Sequence, residues 1–221
     1  MPSIPGKTVM ADSTTVPRPR IFYGWFVVAG TFAVTFIGFG SAYSFGAFLP
    51  SLQHDFAASR GSVSLVFALA GFLYFGLGVI SGPLADRWGC RRFAVIGMVV
   101  IAIGLGLASV ARNLIEVYAA YSLGVGLGIG CAYVPAVAAV QRWFVRRRGF
   151  ASGLAVSGIG VGTLVAPPVA AFLIELLGWR ETYLVLGIFT LVAGVGLAFL
   201  IEDDPRSRGL APDGEAMPTG V

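Results

Sequence analysis

Six long apolar segments dominate this chain and restrict it to one kind of environment. Each approaches or exceeds the length of about 20 residues that an α-helix needs to cross the hydrocarbon core of a bilayer. The segments are 21–49, 62–81, 93–110, 114–140, 151–177 and 182–201. Because backbone groups in hydrocarbon must be hydrogen-bonded within the segment itself, the six segments are predicted to be transmembrane helices.

The composition agrees with that interpretation. Of the 221 residues, 57% are hydrophobic and 12% are charged, whereas soluble domains carry about 25% charged residues. These few polar side chains cannot cover the surface of a folded chain in water. The sequence therefore predicts an all-α integral membrane protein in contact with the lipid bilayer. The net charge of +4 comes from basic residues in short loops. That pattern indicates membrane topology rather than nucleic-acid binding.

Side chains that commonly carry catalysis are scarce. His54 is the only histidine, and the two cysteines, Cys90 and Cys131, show no pattern of pairing. The membrane segments offer no combination of a nucleophile and a base. The sequence therefore predicts neither an enzyme nor a site for a metal or an organic cofactor.

The basic residues predict an orientation. If the N-terminus is cytoplasmic, twelve of the fifteen lysines and arginines lie on the cytoplasmic side, and only Arg60, Arg112 and Arg180 lie outside. Because cytoplasmic loops carry an excess of basic residues, both termini are predicted to be cytoplasmic, in a membrane such as the bacterial inner membrane. The polar segments 1–20 and 202–221 are predicted to be disordered.

Three short patterns recur at offsets of 88 to 90 residues and divide the chain into two repeats, 21–111 and 112–201. The paired patterns are Gly38-x-Gly40-x-Ala42-Tyr43 with Gly128-x-Gly130-x-Ala132-Tyr133, Arg60-Gly61 with Arg148-Gly149, and Gly89-x-Arg91 with Gly178-x-Arg180. Each repeat contains three helices, an odd number, so the second copy must be inverted in the membrane. Inverted repeats of three helices are typical of secondary transporters, whose sites lie near mid-depth between the repeats.

The loop between the second and third segments carries the most specific motif. It reads Gly82-x-Leu84-Ala85-Asp86-Arg87-x-Gly89-x-Arg91-Arg92. This motif resembles the signature loop of the major facilitator superfamily and departs from it at Cys90, where many members have a basic residue. The resemblance implies one six-helix half of a twelve-helix fold, and a second half in the same or a separate chain.

The same resemblance implies a role for this loop, although the arginines are equally explained as topology determinants. In the family the loop contacts a helix of the second half and favours the state that is closed to the cytoplasm. The residues that this role concerns, here called the latch, are Gly82, Asp86, Arg87, Gly89, Arg91 and Arg92.

Further patterns resemble bacterial relatives of the monocarboxylate and oxalate/formate transporters. They are Tyr23-Gly24-Trp25, Arg142-Trp143-Phe144, Arg147-Arg148-Gly149-x-Ala151-x-Gly153, Pro167-Pro168 and Gly178-Trp179-Arg180. This resemblance implies small organic anions such as monocarboxylates as substrates, moved by alternating access with protons or by anion exchange. The chain departs from it at Tyr43, where animal carriers have a lysine. It also has Ala120 where drug antiporters of the superfamily have an arginine.

No charged residue lies deep in any of the six segments. The resemblance places the basic residues that bind an anion largely in the second half. The substrate-binding candidates in this chain are therefore neutral and lie at suitable depths: Tyr43, Tyr133, Tyr121, Ser41 and Ser157. The alternative is that each is an ordinary packing residue whose hydroxyl bonds to backbone.

Two interpretations of the function of this chain stay open. The chain is either a transporter half that needs a second half, or a non-transporting membrane scaffold or sensor derived from such a half. The sequence pattern favours the transporter half.

Overall fold

The computed structural model describes residues 22–214, which form a bundle of helices. Six of these helices are long and apolar enough to cross a membrane. In chain order they are α1 (Gly24–Phe56), α2 (Arg60–Trp88), α3 (Cys90–Ser109), α4 (Leu114–Trp143), α5 (Arg148–Leu177) and α6 (Trp179–Ala198). No strand occurs within the described residues. The predicted all-α class with six transmembrane helices is confirmed.

The helices extend past their apolar segments at one or both ends, and polar side chains cap the starts of α2 and α4. At the start of α2, for example, the Ser59 hydroxyl accepts a hydrogen bond from the backbone N–H of Ser62 at 3.1 Å. Three helices depart from regular geometry, and one of them is α6, which contains a π-helical stretch at Thr190–Gly194. In α1 the regular helix is interrupted at Ser44, and α4 contains a π-helical stretch, Tyr118–Leu123.

The two repeats pack in equivalent ways. α1 packs extensively against α5, and its counterpart α4 packs against α2, the counterpart of α5. α1 also contacts α4, and α3 contacts α6, so all of these pairs join one repeat to the other. α3 packs along α4 as well. The centre of the bundle is therefore formed by α1 and α4.

Glycine allows the equivalent helix pairs to approach closely. A Cβ atom at Gly162 of α5 would lie within 3 Å of the carbonyl oxygen of Phe36 on α1. In the other pair, a Cβ atom at Gly130 of α4 would lie 3.1 Å from the carbonyl oxygen of Tyr74 on α2. Small residues of this kind let membrane helices gain van der Waals contact that larger side chains would prevent.

Buried hydroxyl groups join the same helix pairs. Each donates a hydrogen bond to a backbone carbonyl of the neighbouring helix, which satisfies a polar group that would be costly to leave unpaired in hydrocarbon. The bonds run from Thr35 to Ala155 (2.8 Å), from Ser81 to Gly130 (2.7 Å) and from Ser122 to Val66 (2.9 Å).

The repeated Gly-x-Arg pattern makes an equivalent contact at each end of the bundle. At the start of α3, Arg91 donates from Nε to the carbonyl of Ile201, just beyond α6, at 2.7 Å. At the start of α6, Arg180 donates to the carbonyl of Ala111, just beyond α3, at 3.3 Å. The third helix of each repeat therefore begins beside the end of the other and is joined to it by an arginine.

The glycines of this pattern also match in conformation. Gly89 and Gly178 have φ angles of +97° and +91°, in the region that favours glycine. Each directly precedes its helix. The shared backbone conformation and the equivalent arginine contacts confirm the predicted inverted repeat of three plus three helices.

The segment after α6 differs from the predicted disorder of 202–221. Residues 202–214, here called the strap, lie against the same end of the bundle as the α2–α3 loop. Pro205–Arg208 forms a 3-10 turn. The indole Nε1 of Trp143 donates to the carbonyl of Glu202 at 2.8 Å. The structure therefore describes this part of the tail as packed against the bundle.

The physical reason is that the charges of the strap have partners. The guanidinium of Arg208 lies 3.6 Å above the ring of Tyr23, a cation–π contact. The carboxylate of Asp203 accepts a hydrogen bond from the backbone N–H of Arg91 at 3.2 Å. Composition cannot reveal such partners because they lie far away along the chain. The predicted disorder of 1–20 and of the last seven residues concerns parts outside the described residues.

The glycine contacts lead to a test of the α1–α5 packing. Gly162→Val should destabilise the bundle by about 1–3 kcal/mol, because a side chain there meets the α1 backbone. Gly160→Val is the matched control, since a Cβ atom at Gly160 meets nothing within 4 Å. Thermal unfolding of the two purified variants in detergent measures the difference. Equal stability of both variants would contradict this packing.

Candidate functional site

Two helices of the bundle are covered least by the other helices of the described residues. Within their most apolar windows, 22% of the α2 residues and 11% of the α5 residues are buried, against 72% in α1. Large apolar side chains cover their exposed faces, among them Phe72 (75% exposed) and Val79 on α2, and Leu164 (76% exposed) and Phe172 on α5. In a membrane such faces contact either lipid or another protein segment.

Two sets of aromatic residues on α1, α2 and α4 are here called the aromatic wall: Phe39, Tyr74 and Tyr133 form one, and Tyr43 and Phe67 form the other. The sets meet where the Tyr43 and Tyr74 side chains interact. The ring of Phe39 lies edge-on to the rings of Tyr74 (5.7 Å) and Tyr133 (5.2 Å). The ring of Tyr43 lies edge-on to that of Phe67 at 5.6 Å. Edge-to-face geometry of this kind fixes the ring orientations.

Two predicted substrate residues thus belong to one structural feature. Tyr43 is 43% exposed and Tyr133 is partly exposed, so both rings offer surface and a hydroxyl beyond the packed interior. The wall can offer phenol hydrogen bonds and aromatic faces, but no cation. Whether these residues contact a substrate stays a prediction.

Tyr74 is a member of the aromatic wall that was not among the residues predicted from the sequence. Its side chain is nearly buried, and it joins the wall through Phe39. A tyrosine inside an otherwise apolar segment was the available signal, since its hydroxyl needs a partner. Its position against α4, however, depends on the contact with Gly130, which no local pattern reveals.

Tyr121 and Ser41 are placed differently from the prediction. Tyr121 is fully buried, and its hydroxyl lies 2.9 Å from the carbonyls of both Ser41 and Ala42. These carbonyls lie just before the interruption of α1 at Ser44, where regular helical bonding ends. Tyr121 therefore serves to pack the interrupted helix, and neither it nor the buried Ser41 belongs to the exposed part of the wall.

Ser157 lies apart from the wall on α5. Its side chain is exposed, and its hydroxyl donates to the carbonyl of Leu154 in the preceding turn at 2.7 Å. Such a bond within one helix leaves the hydroxyl oxygen able to accept another.

The latch residues divide into groups with different contacts. The carboxylate of Asp86, on the last turn of α2, forms an ion pair with Arg142 on α4. Gly82, one turn earlier, lies beside α4, where a Cβ atom would be 3.3 Å from the side chain of Val134. Both residues therefore connect α2 with α4 inside this half.

The second group faces the strap. A Cβ atom at Gly89 would lie 2.8 Å from the carboxylate of Asp203, and the positive φ of this residue disfavours any side chain. That carboxylate accepts hydrogen bonds from the backbone N–H groups of Cys90 and Arg91, at the N-terminus of α3. A negative group there also interacts favourably with the helix dipole.

The three arginines of the loop also differ in their contacts. Arg91 pairs with the carboxylate of Glu202 at 2.9 Å. Arg87 and Arg92, in contrast, have exposed side chains. These two are the members of the latch whose side chains extend away from the packed end of the bundle.

Glu202 is the centre of an ion-pair network at the strap. Its carboxylate is contacted by Arg208 as well as by Arg91. The hydrogen bond from Arg208 and the positive charges of both arginines lower the pKa of the Glu202 carboxyl below its ordinary value. Within the described part of the chain, no three histidine, cysteine or acidic side chains are grouped so that they could hold a metal ion.

Comparison with known proteins identifies the family. The model of the Major Facilitator Superfamily matches residues 31–219, so the chain belongs to this superfamily, as the signature loop had indicated. The family and the relatives that match are transporters rather than enzymes. This agrees with the sequence prediction on that point.

Among curated proteins the chain is similar to monocarboxylate transporters. It is 36% identical to monocarboxylate transporter 11 of Mus musculus over 76% of this chain and 38% of the relative. It is 32% identical to the Homo sapiens protein of that name over 93% of this chain and 44% of the relative. The chain thus spans less than half the length of these relatives.

Solved structures show the same fold. A bacterial homologue of the human lysosomal transporter Spinster, in an inward-facing and unoccupied conformation, superposes with a TM-score of 0.71 at 16% identity. This covers 90% of this chain and 46% of that one. The inward-open xylose transporter XylE from E. coli superposes with a TM-score of 0.68 at 19% identity, over 84% and 49% of the two chains. In each case this chain matches about one half of the solved transporter.

The Glu202 network leads to a pH-dependence. Because the pKa of this carboxyl is lowered in the folded protein, its stabilising effect is present at neutral pH. The effect is lost as the pH falls through and below the ordinary range of glutamate, about 4.3. Wild-type protein should be more stable than Glu202→Gln at pH 7, by up to about 1 kcal/mol for such partly exposed pairs.

Thermal unfolding of both proteins from pH 7 down to pH 3.5 measures this difference. The gap between them should close at the acidic end, whereas Glu175→Gln, an exposed glutamate of α5, should show no such gap. A difference that is independent of pH would rule out the carboxylate as the source.

Proposed function

We propose that this chain is one six-helix half of a secondary transporter for small organic anions such as monocarboxylates. It works with a second six-helix half, in the same or a separate chain, by alternating access with proton symport or anion exchange. Membership of the superfamily and similarity to proteins named monocarboxylate transporters support this proposal. The proposal includes a location in the bacterial inner membrane with both termini on the cytoplasmic side.

The observation that carries the proposal is the uncovered surface of α2 and α5. These helices are repeat counterparts, and each is packed on one side only, against α4 and α1. A half-carrier has this arrangement because its counterpart helices face the second half across the substrate path. The aromatic wall lies on α1, α2 and α4, between the packed interior and the α2 side.

The aromatic wall also indicates which groups each half contributes to substrate binding. Tyr43 and Tyr133 offer neutral donors and aromatic faces to a substrate. The charge of a carboxylate must be met by cationic or strong donor groups, since an unpaired anion at mid-depth is costly. The second half therefore supplies the positive charge, and this half supplies the shape and neutral hydrogen bonds.

The wall is tested by Tyr133→Ala. Uptake of radiolabelled pyruvate into cells that express the complete transporter should fall about tenfold in kcat/KM, because ring contact and hydroxyl are both lost. Tyr133→Phe should retain the contact and lose only the bond. Phe189→Ala, on the exposed face of α6, is the control and should leave uptake unchanged.

Uptake that is intact in Tyr133→Ala would exclude the wall from the substrate path. Absence of uptake by the wild-type chain, alone and together with its second half, would instead favour a membrane scaffold or sensor over a transporter.

The latch is tested by Asp86→Asn. The change removes the charge that pairs with Arg142 and that would face the second half, so the population should shift toward the state open to the cytoplasm. The reporter is Gly153→Cys, at an exposed position of α5, in a background in which Cys90 and Cys131 are replaced by serine. Its labelling by a water-soluble maleimide should become several-fold faster.

The control for this experiment is Glu175→Gln in the same background. It removes one negative charge from α5 without touching the loop. Equal labelling rates with and without Asp86→Asn would contradict the latch role.

A further inference from the structure

Helix α1 is interrupted directly after Tyr43, an exposed member of the aromatic wall. The hydroxyl of Tyr121, on α4, bonds to the carbonyls that lie just before this interruption. We propose that Tyr121 is a positioning residue for substrate binding, because it fixes the place where α1 is interrupted and thereby the position of Tyr43. This inference rests on the proposed transport function and concerns the same wall.

The carbonyls before the interruption need donors that α1 itself does not supply. The last four carbonyls of a regular helix have no donor within that helix, and in Gly24–Tyr43 they include those of Ser41 and Ala42. The Tyr121 hydroxyl lies 2.9 Å from both oxygens, and the Ser44 hydroxyl donates to the carbonyl of Ser41 at 2.8 Å. Because buried carbonyls without a donor are costly, these bonds favour an interruption at Ser44.

An irregularity of α4 brings Tyr121 to this place. Tyr121 lies within the π-helical stretch Tyr118–Leu123, and such turns are frequent at functional sites. Tyr121 and the next residue, Ser122, are both fully buried, and they bond to different helices. Tyr121 bonds to α1, whereas Ser122 donates to the carbonyl of Val66 on α2 at 2.9 Å. The π-helical stretch therefore fixes α4 against both neighbours next to the interruption.

The ring of Tyr121 contacts the other side of the interruption. Phe45, the first residue after Ser44, is buried, and its ring centroid lies 4.9 Å from that of Tyr121. The ring of Phe45 also stacks on that of Phe67 on α2 at 6.3 Å, and Tyr43 meets the same Phe67 ring edge-on. A shift of the interruption along α1 would therefore change both contacts with α2.

Burial decides between a direct and an indirect role for Tyr121. Its side chain has no exposed surface, whereas Tyr43 is 43% exposed. A substrate can reach the ring and hydroxyl of Tyr43 in this arrangement of the helices, but it cannot reach those of Tyr121. The effect of the Tyr121 hydroxyl on a substrate therefore passes through the position of Tyr43.

The test is Tyr121→Phe in the complete transporter, measured as uptake of radiolabelled pyruvate into cells. The change removes one hydroxyl and keeps the ring contact with Phe45. KM should rise about fivefold, the effect of losing one hydrogen bond. The maximal rate per transporter should stay within about twofold of the wild-type value, because the loss concerns substrate binding.

Tyr183→Phe is the matched control. Tyr183, on α6, is also fully buried, and its ring lies 6.0 Å from that of Tyr121. Its hydroxyl has no hydrogen-bond partner among the described residues, so its removal should leave KM unchanged.

A double variant tests whether Tyr121 acts through Tyr43. Residues that act through one another have effects that do not add. In a Tyr43→Ala background, Tyr121→Phe should therefore raise KM further by less than about twofold.

A measurement that does not depend on transport follows the position of residue 43 itself. Nitroxide labels at Tyr43→Cys and Ile103→Cys, in a background in which Cys90 and Cys131 are replaced by serine, report the distance between α1 and α3 by pulsed electron paramagnetic resonance. Tyr121→Phe should shift or broaden the distribution of distances. The control variant on α6 should leave the distribution unchanged.

Any of four results would overturn the proposal. They are an unchanged KM in Tyr121→Phe, an equal rise in Tyr183→Phe, additive effects of Tyr121→Phe and Tyr43→Ala, and a distance distribution that Tyr121→Phe does not alter. Each leaves the proposed function standing as long as the wild-type transporter takes up pyruvate. Absence of uptake by the wild type would contradict the proposed function instead, and the distance measurement would then decide whether Tyr121 positions residue 43.

Discussion

The bundle depends on close approach between helix backbones. Lipid tails are as apolar as the side chains they would replace, so burial of apolar area does not drive membrane helices together. What remains is dense van der Waals contact and hydrogen bonding, and both need short distances. Gly162 against Phe36 and Gly130 against Tyr74 provide those distances at equivalent places in the two repeats. The hydroxyls of Thr35 and Ser81 then bond across the same interfaces.

The polar ends of the helices complete this arrangement. Arg91 joins the start of α3 to the end of α6, and Arg180 joins the start of α6 to the end of α3. The two repeats are therefore connected at both ends of the bundle. Because α2 and α5 are each fastened on only one side, their other faces stay available. Two equivalent open faces are consistent with the proposed alternating access, in which one bundle moves against the other.

The sequence predicted those properties that leave a local or periodic trace. Hydropathy revealed the six helices, and an offset of about 89 residues revealed the repeat and the equivalence of Arg91 and Arg180. The sequence did not reveal that the Tyr121 hydroxyl bonds to carbonyls of α1, or that Tyr74 belongs to the aromatic wall. Those contacts join residues far apart in the chain, and tyrosines in apolar segments all look alike until their neighbours are known.

The contacts of the strap could not be read from the sequence for a related reason. Its prolines and acidic residues are typical of disorder, yet Glu202 and Asp203 find partners around Arg91. The latch presents the complementary case. Its motif was readable, but the pairing of Asp86 with Arg142 inside the same half depends on the packing of α2 against α4.

The central claim is that a second half covers α2 and α5. Spin labels at Phe72→Cys and Leu164→Cys, examined by electron paramagnetic resonance in native membranes, test it through their collisions with oxygen, which concentrates in lipid. Ile103→Cys, on the exposed side of α3, provides the lipid-facing reference. The account predicts low oxygen accessibility at the α2 and α5 positions and high accessibility at the α3 position. Equally high accessibility at all three would show that lipid, and no second half, covers these helices.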